Sequence, residues 1–141
     1  MDEPAEVGAD ALITHPTEDP VMITILPETT GYTLVVKASG KLSTENYETV
    51  FLPIMEKLLA RYGQIRVVIQ FDETFTGWEA GAIWDDAKFG IKHRNDFKRI
   101  AVVGAPKWVE WGTKVGAHLM DGELKTFLES DLLEAIVWVK L

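Results

Sequence analysis

Cysteine is absent from the 141 residues, which removes a disulfide framework, a thiol nucleophile and a thiolate metal site together. No run of about 18 apolar residues is present to span a bilayer. Lys and Arg are missing from residues 1–20, which instead hold Asp2, Glu3, Glu6, Asp10, Glu18 and Asp19; a secretory or transit leader opens basic, so a cytoplasmic location is expected. Those six acids account for most of the formal net charge of −8 and leave −2 on the remainder. Neither part offers the basic surface that phosphate backbones require, so nucleic acid is not an expected partner. Pro4, Pro16 and Pro20 interrupt a stretch with no amphipathic period, so residues 1–20 are expected to form an acidic, flexible or loosely docked tail before a single domain over residues 21–141.

Histidine is scarce and scattered. His15 lies in the tail, His93 stands between Lys92 and Arg94 at a helix end where a cation suits the dipole, and His118 flanks the apolar stripe of a later helix. No two histidines stand at i and i+4, so no metal site is expected. Ser39, Ser43 and Ser130 lack a nucleophile-elbow setting, and the glycines never assemble a GxGxxG or GxxxxGK[ST] string. An enzyme, a cofactor and a bound metal are all unexpected on this basis.

Hydrophobic periodicity is what the chain does offer. "VMITILPE" and "GYTLVVKASG" read as a hairpin of two strands. "KLSTENYETVFLPIMEKLLARYG" reads as a helix with Ser43 as N-cap, Tyr47, Val50 or Phe51, Ile54 and Leu58 at helical spacing, Gly63 as its stop, and a kink or break near Thr49 imposed by Pro53. "QIRVVIQF" and "KRIAVVGA" are continuous apolar runs of the kind buried on both sheet faces, the first of them central. Between them, the helix after Gly77 places Ala80, Trp84, Ala87 and Ile91 on one face. A third helix follows Pro106 with Trp108, Trp111, Val115 and Leu119 in a stripe, then a short strand in "GELKTFL" and a closing helix capped by Ser130. The order ββαβαβαβα predicts an α/β fold with a mixed five-stranded sheet and about four helices.

Two features of the second helix bear on function. Asp85 and Asp86 diverge by about 100° on a helix and, with Asp72, Glu73 and Glu79, are read as solvated charge, Asp85 facing Lys88, in preference to a divalent-cation site. Five tryptophans in one small domain are more than a sheet-covering helix needs. Trp78, Ile83 and Phe89 point away from the main stripe and must be covered by another helix, a second subunit or an apolar ligand.

The string "WEAGAIWDDAKFGIKHRNDFKRIAVVGAPKWVEWGTK", with "GKLSTENYETVFLPIMEKL" before it and "AIVWVK" at the end, resembles the SpoIIAA-like proteins of the STAS and CRAL-TRIO structural group over about residues 22–140. The resemblance implies a four-helix, five-strand α/β sandwich. It implies one of two roles. The first is binding of an apolar small molecule or lipid in a cleft of the second and third helices, with Trp78, Ile83, Trp84, Phe89, Trp111 and Val115 as ligand-binding residues. The second is a STAS-type protein–protein interaction module, with a protein partner or homodimer. For the second role the family's phosphorylatable serine has no counterpart in "DETFTGWE", where Thr74 and Thr76 are the only hydroxyls.

Overall fold

The computed structural model describes residues 23–107, 109, 114 and 120–141. The expected tail with His15, and Trp108, Trp111, Val115, His118 and Leu119 of the expected third helix, lie outside the described residues.

Five strands form one mixed sheet: β1 (Ile23–Ile25), β2 (Thr33–Ala38), β4 (Ile65–Phe71), β6 (Phe97–Val103) and β7 (Glu123–Phe127), side by side in that order. Only the β1–β2 pair is antiparallel, with Ile23 opposite Ala38; the other three pairings are parallel. The near-continuous apolar runs of β2 and β4 follow from their central position, since each is covered on both faces. Period-two alternation then divides their side chains between two cores. Leu34, Val36 and Val67 face the helices that precede and follow β4, while Val35, Val68, Ala101 and Val103 face the closing helix α4 (Leu132–Lys140) through Ala135, Ile136 and Val139.

Helix formation between β2 and β4 starts as the sequence predicts. Ser43 caps α1 (Thr44–Asn46) by accepting the Asn46 N–H at 2.9 Å, and Gly63 ends α2 (Leu52–Tyr62) at a positive φ of 79°. The expected break takes the form of a π-helical turn, Tyr47–Phe51, centred on Thr49. Pro53 has no N–H to offer the Thr49 carbonyl, and the chain widens so that the Leu52 N–H reaches back to the Tyr47 carbonyl. A short parallel pair, β3 (Lys41–Leu42) with β5 (Gly77–Trp78), ties the start of this helical segment to the start of α3 (Ala80–Lys92).

Two expectations about the helices need correction. In α3 the buried residues are Ala82 and Phe89, seven positions apart, and Asp86 between them reaches the Tyr47 hydroxyl while keeping accessible surface; Trp84 is 65% and Ile91 57% exposed. The Ala80–Trp84–Ala87–Ile91 stripe is therefore not the buried one. Ser130 lies inside a 3-10 turn (Glu129–Asp131), and Asp131 rather than Ser130 occupies the cap position of α4.

Candidate functional site: a cavity under α3

α3 rests chiefly on α1 and the π turn, and a cavity of about 500 Å³ separates it from the sheet. The close approach to α1 depends on Gly81, where a Cβ would come within 2.4 Å of Thr44 Oγ1. Glu79, just before α3, strengthens the same junction by accepting the Thr44 N–H at 2.8 Å. That backbone hydrogen bond holds the Glu79 carboxyl below the usual range.

The floor of the cavity is made by the sheet residues Val67, Ile69, Ile100, Val102 and Leu124. Phe51 and Met55 form one wall, Trp78 stands at one end beside Phe71, and α3 contributes Ile83, Asp86, Ala87 and Phe89 from above. Trp78 is fixed edge-on against Phe71 and Phe75, with ring centroids 5.8 and 5.0 Å away. Phe89 stands edge-on to Phe97 at 6.1 Å. Such edge-to-face packing gives the aromatic walls a defined shape before anything binds.

Asp86 is the single charged side chain among the described lining residues. Tyr47, almost fully buried on the π turn, donates its hydroxyl to Asp86 Oδ1. Residue 86 lines the cavity and keeps accessible surface, and the protein packed around its carboxyl replaces part of its hydration. Desolvation raises the Asp86 pKa, and the hydrogen bond from Tyr47 opposes the rise only in part. Tyr47 itself is driven far above the ordinary phenol range by its burial, then by the Asp86 charge and hydrogen bond, and lastly by Asp85. It therefore stays protonated as a donor. One turn face away, Asp85 lies 3.9 Å from Lys88 as the sequence suggests, yet its Oδ2 is shielded from solvent with no hydrogen-bond partner among the described residues. Glu48 has its pKa raised, first by a hydrogen bond with Asp85 and then by that residue's charge.

Of the residues that the sequence singled out, the structure brings Trp78, Ile83 and Phe89 together around the cavity. Trp84 stands apart from this lining, on the outer side of α3, with Lys88 Nζ 5.9 Å from its ring centroid. Trp111 and Val115 lie outside the described residues. The expectation of a solvated acidic face fails for Asp85, whose Oδ2 is shielded from solvent, and holds only in part for Asp86, which keeps accessible surface but lines the cavity beside Tyr47. The signal that could have placed Asp86 at the cavity is its spacing of four from Ala82 and three from Phe89, both buried, and the signal for Tyr47 is its position one turn before Phe51 on the buried side.

Elsewhere the acids serve the fold. Asp72 accepts from Ser39 at 2.5 Å and from Thr74 Oγ1 at 2.6 Å. His93 closes α3 with its Nδ1 2.8 Å from Asp96 Oδ2, beside a smaller crease of about 330 Å³ that also includes Glu56 and Lys92. No group of three or more His, Cys, Asp or Glu arranged to hold a metal occurs among the described residues. No described helix is long and apolar enough to cross a membrane.

Comparison with known proteins agrees with this architecture. A crystal structure of an uncharacterized protein from the DUF3478 family with a SpoIIAA-like fold, from Shewanella loihica PV-4, is 36% identical, covering 83% of this chain and 93% of that one at a TM-score of 0.67. No curated protein matches the chain. The model of the SpoIIAA-like family matches residues 33–140, and with the mixed sheet and the helices under which the cavity lies, this places the chain in the SpoIIAA-like family.

Proposed function

We propose that the protein is a non-enzymatic binder of an apolar small molecule or lipid, held between α3 and the sheet. The observation that carries this reading is the cavity itself. Its volume of about 500 Å³ lies within the range of small-molecule sites, about 300–1,000 Å³, and its described lining is apolar apart from Asp86. Trp78 and Phe89 supply rigid contact area, and Ile83 lies on the α3 edge of the site. The test is mass spectrometry of an organic extract of the purified protein, with native mass spectrometry alongside. A stoichiometric lipid-like mass is the expected result, reduced in Trp78→Ala and Phe89→Ala. A protein that is empty and also fails to take up decanol overturns the reading.

A second reading, a protein–protein interaction module, has its own support in α4. Leu133 and Val137 stand one turn apart on its outer face and are 73% and 61% exposed, with Leu128 and Leu141 exposed at either end. Such a strip is more apolar than a solvated helix face requires. Val137→Lys, distant from the cavity, separates the two readings. Loss of partner capture or self-association with ligand uptake intact assigns α4 to the interface.

A further inference from the structure

Among the described residues the cavity has one charged side chain, and its chemistry restricts what can fill the space. Asp86 Oδ1 is occupied by the Tyr47 hydroxyl, and Oδ2 has no partner among the described residues. The groups around this carboxyl on the neighbouring elements are Tyr47 from the π turn and, on α3 itself, Asp85, with Glu48 and Lys88 grouped around Asp85. The described sheet residues below it, Val67, Ile69, Ile100, Val102 and Leu124, bring no charge and no side-chain donor. No described lining residue is a cation.

A ligand carboxylate or phosphate placed at this point would meet Asp86 with no positive group among the described lining residues, so anionic head groups are disfavoured. A ligand that is apolar throughout covers the accessible carboxyl and offers Oδ2 no hydrogen bond, so a charged acceptor is left unsatisfied once the ligand is seated. A protonated amine satisfies both conditions, because it donates to Oδ2 and neutralises the charge in a low-dielectric setting. We infer that the occupant is a cationic amphiphile, an alkyl or aryl chain lying over the apolar floor with a primary or secondary amine at Asp86. This rests on the reading of the cavity as an apolar-ligand site and names the head group that site selects.

Decylamine, decanol and decanoate share a chain and differ only in the head, so their calorimetric titration into the full-length protein separates the two levels of the proposal. Decylamine is expected to bind about tenfold or more tighter than decanol, the ratio that a hydrogen bond to a charged group supplies, and decanoate weakest of the three. Asp86→Asn keeps the shape and is expected to abolish the amine preference while decanol still binds, which also reports that the cavity is intact. Decanol or decanoate binding as tightly as decylamine overturns the head-group inference and leaves the apolar-site reading standing. A preference for decylamine that survives Asp86→Asn also overturns the inference, since it then comes from the acidic surface. Failure of all three to bind overturns both.

Discussion

At the scale of single residues, Asp86 is the position where stability and binding pull apart. A carboxyl whose pKa is raised in the folded chain is stabilised as the neutral acid, so its favourable contribution is complete below the ordinary carboxylate pKa. That contribution is lost as pH rises through the folded value. Asp86→Asn is therefore expected to raise the stability of the ligand-free protein at neutral pH by up to about 1 kcal/mol, because the residue keeps accessible surface through which solvent screens the charge. The gain should shrink towards zero as pH falls to the usual carboxylate range. Asp72 has the opposite sign. Burial pushes its pKa up, but hydrogen bonds from Ser39 and Thr74 prevail and hold it low, so its contribution is lost as pH falls. Asp72 and Glu79 are unchanged between the two chains and cancel in the comparison. Chemical denaturation of both proteins from acid to neutral pH checks this, and a difference independent of pH would refute the assignment of the shift to Asp86. The same residue explains what was not legible in the sequence. A polar side chain between the buried Ala82 and Phe89 breaks the apolar period, and the apparent stripe of α3 moves to Ala80, Trp84, Ala87 and Ile91, away from those two buried positions.

At the scale of elements, legibility depended on whether local chemistry or distant packing decides the outcome. Ser43, Gly63 and Pro53 act within one turn of the chain, and the cap, the stop and the break near Thr49 appear where those residues dictate. Strands β4 and β6 were visible because burial on both faces writes an apolar run directly into the sequence. The separation of α3 from the sheet leaves no such mark, since it is set by contacts with α1 that are distant in sequence, and the floor residues Val67, Ile69 and Ile100 look like any other strand core. Two glycines test this packing with opposite signs. Gly90 lies within α3, and a Cβ there meets nothing within 4 Å, so Gly90→Ala is expected to stabilise by about 0.5–1 kcal/mol through helix propensity. Gly122 precedes β7, and a Cβ there would come within 2.1 Å of the Phe97 carbonyl oxygen and 2.6 Å of that of Lys98. Backbone of the adjacent strand β6 cannot yield as a side chain does, so Gly122→Ala is expected to destabilise by about 1–3 kcal/mol or more. Thermal unfolding of both variants decides; equal effects would contradict the packing described here.

At the scale of the whole molecule, the two faces of the sheet differ in kind. The α4 face is a closed core in which Val35, Val68, Ala101 and Val139 are fully or almost fully buried, whereas the opposite face leaves about 500 Å³ under α3. Close packing is the ordinary state of a protein interior, and space left open forgoes the dispersion contacts that would line it. A cavity of this size is thus a standing cost to the ligand-free chain, which a bound molecule offsets by stabilising only the folded state. A ligand present at 100 times its Kd is expected to add about 2.7 kcal/mol to the free energy of unfolding. Ala87 provides the complementary test, because it lines the cavity from α3 with accessible surface around it. Ala87→Leu places apolar volume where the ligand would lie, and the expected result is a higher melting temperature without ligand, weaker decanol binding and a smaller ligand-induced shift. Scanning calorimetry of the parent and variant, each with and without decanol, measures all three. A variant that melts higher yet keeps the full ligand-induced shift would move the binding site away from α3, because the same space cannot hold both the leucine and the ligand.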